Sequence, residues 1–147
     1  MLSQKAKYAL KAMLALSGND QGSLLQAAEI AEQQNIPRKF LELILLELRK
    51  HGFVHSHRGK NGGYTLAKPA DTITFGQIIR VMDGPLAALP CASLTGYRRC
   101  GDCQDEKSCA IRKAMREVRD SAALILDNLT LQAACSTGAA ATRALVG

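Results

Sequence analysis

Apolar residues recur at helical intervals along most of the chain, interrupted once by two short alternating runs. The first such pattern predicts a helix over residues 3–17. Ser3 can cap it, and Tyr8, Leu10, Met13, Leu14 and Leu16 form an apolar face. Gly18, Asn19, Asp20 and Gly22 end it. A second short helix covers 26–34, with Ala27, Ala28, Ile30 and Ala31 as a small apolar surface, and Asn35 closes it. Pro37 suits the first position of a third helix, since that position needs no N–H. This helix runs to Lys50 with Phe40, Leu41, Ile44, Leu45 and Leu48 facing inward. His51-Gly52 stops it, because glycine accepts the left-handed cap.

The period then changes to two. Phe53 to His57 and Tyr64 to Ala67 alternate on either side of Arg58-Gly59-Lys60-Asn61-Gly62-Gly63, which predicts a β-hairpin. A helix over 74–83, entered at Thr74, follows, and Gly84-Pro85 breaks it. Residues 86–109 show no clear periodicity. From Ser108 to Leu131 the helical pattern returns. Ile111, Met115, Val118, Ala122, Ile125 and Leu129 are spaced by four and three residues in turn, a heptad seam. Arg112, Lys113, Arg116, Glu117, Arg119, Asp120 and Asp127 keep the rest of that helix polar. A narrow apolar stripe on a long helix favours a partner helix from a second copy over packing on its own chain. Past Gln132 the chain is rich in Ala, Gly and Thr, as a fraying end would be. The expected organisation is a DNA-binding unit over 1–83, a cysteine-containing sensor loop over 84–107, a dimerisation helix over 108–131 and a flexible tail over 132–147.

Charge sharpens this picture. The net charge is +6 over 147 residues, and it is uneven. Residues 1–69 hold ten Lys/Arg against five Asp/Glu; the remainder holds nine against eight. A basic excess confined to one half suits a polyanionic partner for that half. Aromatic residues are only 4% and Trp is absent, which argues against a base-stacking or sugar-binding surface built on rings. A hydrophobic content of 47% excludes a largely disordered polymer. No apolar run is long enough to span a bilayer. Lys5, Lys7 and Lys11 recur along the first helix, so it does not read as a signal peptide, and a cytoplasmic protein is expected.

Two short helices, a tight connection and a hairpin with a basic tip make a winged helix-turn-helix pattern, mainly α with a small β wing. The third helix fits a major groove, with Arg38, Lys39 and Glu42 near its start. Glu42 is an acceptor suited to the exocyclic amine of cytosine. Arg58, Lys60 and Asn61 at the hairpin tip can reach a phosphate or a minor groove, and the glycines beside them let backbone amides approach closely. The plainer alternative is that Glu42 pairs with a neighbouring cation and the hairpin is a surface turn. Nothing resembles a Ser/His/Asp set, a phosphate-cradling loop or a paired-carboxylate site, so an enzyme is not expected.

Specific stretches carry a resemblance. Ile36-Pro37-Arg38-Lys39-Phe40-Leu41-Glu42, then Leu48-Arg49-Lys50-His51-Gly52-Phe53-Val54, and above all Arg58-Gly59-Lys60-Asn61-Gly62-Gly63-Tyr64-Thr65-Leu66 resemble the Rrf-type winged-helix transcriptional regulators, the group of IscR, NsrR, RirA and CymR. The resemblance runs to about residue 132. It implies a homodimer joined by the long helix, palindromic double-stranded DNA as partner, and a cysteine-ligated iron–sulfur cluster (2Fe-2S or 4Fe-4S) that senses iron, nitric oxide or redox state. It implies Glu42 as the base-reading acid and Arg58 as the wing arginine in the minor groove, with Gly62, Gly63 and Tyr64 completing the DNA-contacting wing.

The cysteines fit that expectation in kind. Thiolates are the usual ligands of iron–sulfur clusters. Cys91, Cys103 and Cys109 match the family's layout, and Cys100 is additional. IscR-like members place a histidine three residues after the last cysteine; here that position is Arg112, which stays protonated and cannot ligate. Cys100 is a candidate fourth ligand, and a group outside these cysteines is the alternative. A bare thiol/disulfide switch and a zinc site are alternatives, because Cys100-x-x-Cys103 suits either. Arg98 and Arg99 are expected to lower the Cys100 thiol pKa. Cys135, alone near the end, is assigned a structural role or none. His51, His55 and His57 belong to the helix cap and the wing and are expected to be surface groups or phosphate contacts.

Overall fold

Helix α1 (Gln4–Ser17) is the hub of the fold. It touches α2 (Ala27–Gln34), α3 (Arg38–Lys50), α4 (Phe75–Asp83) and strand β2 (Gly63–Leu66). The computed structural model describes residues 2–19 and 23–137. The hub role follows from the side chains α1 buries: Ala6, Ala9, Leu10, Ala12, Met13 and Leu16. Alanines let several neighbours approach one helix closely. Tyr8 and Leu14, expected in the apolar face, are only partly buried against the core.

Local chemistry fixes the helix ends. The Ser3 hydroxyl accepts from the Ala6 N–H at 3.0 Å. Asn35 closes α2 in the left-handed region at φ 53°. Pro37 stands just before α3 as its cap, and α3 buries Leu41, Ile44, Leu45 and Leu48. Phe40 is half-buried and meets the Tyr8 ring edge-on, 5.5 Å between centroids. Gly52 takes φ 78° immediately after α3, a conformation costly for any residue with a Cβ. Thr74 and Gln77 form a reciprocal capping box at the start of α4.

Strand β1 (Val54–His57) pairs antiparallel with β2, Val54 opposite Leu66 and His57 opposite Gly63. The connecting loop is therefore 58–62, so Asn61 and Gly62 end it, Gly63 opens β2, and the Asn-Gly-Gly run does not sit at its centre. Leu25 adds a rung at the free edge. It exchanges backbone hydrogen bonds with Tyr64 at 3.1 and 2.8 Å, which ties the hairpin to the segment before α2.

The last long helix, α5, spans Ala110–Leu126 and is capped by Cys109. It is shorter than the expected 108–131. It ends where the Arg80 guanidinium of α4 donates to both Asp127 carboxylate oxygens, at 2.5 and 2.9 Å. Beyond the turn, Phe75 N–H donates to Leu129 C=O and Leu131 N–H donates to Ile73 C=O, both at 2.9 Å. Leu131 is completely buried in the main core. Leu129 thus lies past the helix and is not a sixth position of the α5 seam. Residues 131–137 are helical, so the expected flexible tail from 132 is ordered to 137. The half-buried Cys135 thiol reaches the Leu14 C=O at 3.7 Å; residues 138–147 of that tail lie outside the described residues. Periodicity alone could not show this, because the contacts that stop α5 come from residues 47 or more positions earlier in the chain.

Hydrogen bonds from Arg80 hold the Asp127 carboxyl below the usual carboxylate range. A depressed folded-state value means the pair stabilises above the unfolded pKa, about 4, and that this stabilisation is lost as pH falls through the folded value. Leu131 tests whether the returning segment belongs to the core. Leu131→Ala is expected to cost about 2–5 kcal/mol in urea unfolding. A loss well below 1 kcal/mol would place the segment outside it.

Candidate nucleic-acid interface and cysteine loop

Because α3 buries residues 41, 44, 45 and 48, its other faces point outward. Arg38, Lys39, Glu42, Leu43, Leu46, Arg49 and Lys50 are all exposed. The Arg38 Nε donates to Glu42 at 3.2 Å, the pairing weighed above as the plainer alternative. Both side chains are about half or more exposed. Such surface pairs contribute about 0–1 kcal/mol. Little therefore holds Glu42 to Arg38 when a better donor is offered. Glu47 is occupied by Lys5, at 2.5 Å, so its charge is compensated. His51 Nδ1 lies 2.9 Å from the Glu47 carbonyl, and His57 Nε2 lies 3.3 Å from the Thr65 hydroxyl.

On the wing, Arg58, Lys60 and Asn61 are exposed in the loop. Among the described residues, Lys39, Arg58 and Lys60 join no ion pair. Gly62, Gly63 and Tyr64 are half-buried and shape the wing. A Cβ on Gly62 would stand 2.2 Å from the His57 carbonyl, and one on Gly63 would stand 2.7 Å from the Leu25 carbonyl. The Tyr64 side chain packs on the core.

The cysteine loop is stitched to the first half of α5. Cys91 is buried in a short 3₁₀ turn, Pro90–Ala92. Its sulfur lies 4.0 Å from that of Cys100. Cys103 N–H donates to the Cys100 carbonyl at 3.4 Å. The Cys109 sulfur accepts from the Arg112 N–H at 3.4 Å, and the Arg112 Nε donates to the Cys91 carbonyl at 3.0 Å. Arg112 is therefore a strut between the two outer cysteines. Two turns on, the buried Arg119 donates to the Ala92 carbonyl and is neutralised by the Asp120 carboxylate at 2.6 and 2.8 Å. Tyr97 donates to the Glu106 carboxylate across the loop.

The donor set is right for a soft metal or cluster: several thiols gathered at one end of α5. The Cys91 and Cys100 sulfurs stand side by side. Among the described residues, no three His, Cys, Asp or Glu side chains converge as a metal site would require. One expectation is corrected. The Cys100 thiol pKa is raised, chiefly because it donates to the Cys91 sulfur, with the charges of Cys91, Asp102 and Cys103 and partial burial acting the same way. Arg99 does not act on the thiol as expected; its guanidinium turns to the carbonyls of Cys103 and Gln104 at 3.3 and 3.4 Å.

The seam of α5 faces solvent. Ile111, Val118 and Ile125 are 66%, 52% and 65% exposed, and Met115 and Ala122 are half-exposed. The adjoining stripe, which includes Arg119 and Leu126, turns toward the body. The exposed leucines of α3, Leu43 and Leu46, escaped the sequence reading; their signal was apolar residues falling outside the inward set.

A winged helix-turn-helix with a basic tip followed by a long helix defines a class, the DNA-binding transcriptional regulators. The profile of the Rrf2 family, described as iron-dependent transcriptional regulators, matches residues 2–137. The chain belongs to the Rrf2 family. It is 44% identical over 148 residues to an Rrf2-like HTH-type transcriptional regulator of Rhodobacter capsulatus, covering 99% of both chains. It is 35% identical over 130 residues to the HTH-type transcriptional regulator IscR of Escherichia coli, covering 88% of this chain and 76% of that one. Among solved structures, CymR, the global cysteine regulator of B. subtilis, superimposes with a TM-score of 0.78 at 31% identity, covering 93% of this chain and 97% of that one. IscR of T. potens gives 0.73 at 29%, covering 94% and 88%. The protein is a transcriptional regulator and not an enzyme.

Removing the guanidinium of Arg119 should free the Cys91 turn. A hydrogen bond from a charged group contributes about 1.5–3 kcal/mol, so Arg119→Ala is expected to raise the rate of Cys91 modification by an aromatic disulfide reagent about tenfold or more. An unchanged rate would show that Arg119 does not hold the turn closed.

Proposed function

We propose that the protein is a homodimer that grips palindromic duplex DNA with two copies of α3 and the wing, and that its cysteine loop controls the grip through an iron–sulfur cluster. The observation that carries the DNA-binding part is the basic set Lys39, Arg58 and Lys60, which joins no ion pair among the described residues and stands on two elements tied to one core. Arg38, Lys39 and Glu42 would meet base edges and phosphates in the major groove. Arg58, Lys60 and Asn61 would meet the neighbouring minor groove or backbone, at a height set by Gly62, Gly63 and Tyr64. Two copies joined through Ile111, Met115, Val118, Ala122 and Ile125 would present their reading heads about one helical turn, 34–36 Å, or a multiple of it, apart.

Cys91, Cys103 and Cys109, with Cys100 as the fourth, would hold the cluster, which supplies chemistry sensitive to iron supply, nitric oxide and redox state. Arg112 and Arg119 link the carbonyls of residues 91 and 92 to α5. A change of ligation at Cys91 is thereby felt by the helix that spaces the two reading heads, and a two-state bias between DNA-competent and incompetent dimers follows. A second reading is favoured by the 4.0 Å approach of the Cys91 and Cys100 sulfurs. In it a hydroperoxide takes two electrons and the two thiol protons, leaving a disulfide, an alcohol and water.

Anaerobically purified protein is expected to be brown, with iron and sulfide in near-stoichiometric amounts, and to lose both in Cys91→Ser or Cys109→Ser. Colourless protein that takes up no iron on reconstitution and whose thiols all titrate freely would exclude the cluster and leave the disulfide reading. In fluorescence anisotropy against duplexes selected from a random pool, Arg58→Ala should weaken binding and lower the salt slope by about 0.9 for each phosphate that is no longer neutralised. Glu42→Ala should instead relax base preference. Wild-type affinity and preference in both would overturn the assignment of the reading heads.

A further inference from the structure

We infer that Leu43, supported by Leu46, is a specificity-determining residue that reads the 5-methyl group of thymine in the major groove. The inference rests on the DNA-binding reading above and adds to it a base identity. Lys39, Leu43, Leu46 and Lys50 follow one another at intervals of four, three and four residues, so they form a single line along the outer face of α3. All four are exposed, Leu43 at 65% and Leu46 at 44%. The inward positions of the helix are fully buried and need neither leucine.

A lone exposed leucine calls for no account. Two in line, with a lysine at each end, on a helix whose other outward residues Arg38, Glu42 and Arg49 are charged, form a defined surface. Its chemistry is an apolar strip between cations. A bilayer would need a far wider apolar face, and a protein groove would not call for lysines at both ends. The major groove offers both parts: phosphates along its walls and, among base edges, one apolar group, the methyl of thymine. The positive excess of residues 1–69 points to the same polyanion.

The test uses the full-length protein and duplexes it selects from a random pool, each resynthesised with deoxyuridine in place of thymidine. Pairing is kept and only the methyl is removed. Wild-type protein is expected to bind the uracil duplex about fourfold more weakly for each methyl it touches, the equivalent of about 0.8 kcal/mol per buried carbon. Leu43→Ala should bind the thymine duplex more weakly and no longer distinguish the two, whereas Leu43→Met should keep the distinction. Leu43 is exposed, so these variants fold. Equal binding of both duplexes by wild type, or a thymine preference retained by Leu43→Ala, overturns the inference while the DNA-binding reading stands. Failure to bind any duplex overturns both. A smaller assembly for Leu43→Ala in sedimentation without DNA would show that the strip contacts a second copy, and would overturn the inference as well.

Discussion

An apolar seam that the described residues leave in water is the constraint on which the rest of the structure depends. Ile111, Val118 and Ile125 lie on one line of α5, each more than half exposed, while the neighbouring line is fixed to the body. Burying what remains exposed of three such side chains is favourable by about 1–2 kcal/mol each, and nothing in the described chain covers them. The helix cannot turn its seam inward. Arg112 and Arg119 bind the carbonyls of Cys91 and Ala92, and Asp127 is clamped by Arg80. The polar ties that hold α5 in place are what keep its apolar line outside, where the proposed second copy would cover it.

The same ties give the cysteine loop its leverage. Cys91 is buried in the turn that Arg112 and Arg119 grasp, and Cys109 caps α5 itself. In the proposed mechanism, chemistry at these two sulfurs would reach α5 through these hydrogen bonds and not through the main core. The reading elements are set separately, α3 by its buried leucines and isoleucine against α1, and the wing by the Leu25–Tyr64 rung. As the proposed dimer, a regulator built this way would keep its reading heads rigid and alter the spacing between them.

Helix α3 and the hairpin were legible because local chemistry decides them. Helix α3 has a proline before it, a glycine after it and an unbroken inward period; the hairpin has alternation and closely approaching glycines. The end of α5 was not legible, since the Arg80–Asp127 clamp and the backbone bonds of Leu129 and Leu131 join residues far apart in sequence. The alanine face of α1 was missed because alanine carries little periodic signal. Arg112 could be excluded as a ligand from its chemistry, but its role as a strut required the fold. The effect of Arg98 and Arg99 on Cys100 was misread for a related reason. Adjacency in sequence does not fix where a guanidinium points, and Arg99 found carbonyls.

Everything proposed about spacing, palindromes and signal transfer requires two chains joined along α5. Sedimentation equilibrium of the purified protein at micromolar concentration, in reducing buffer and without DNA, addresses this directly. The account predicts a single species of twice the chain mass. A monomer persisting across that concentration range would contradict it.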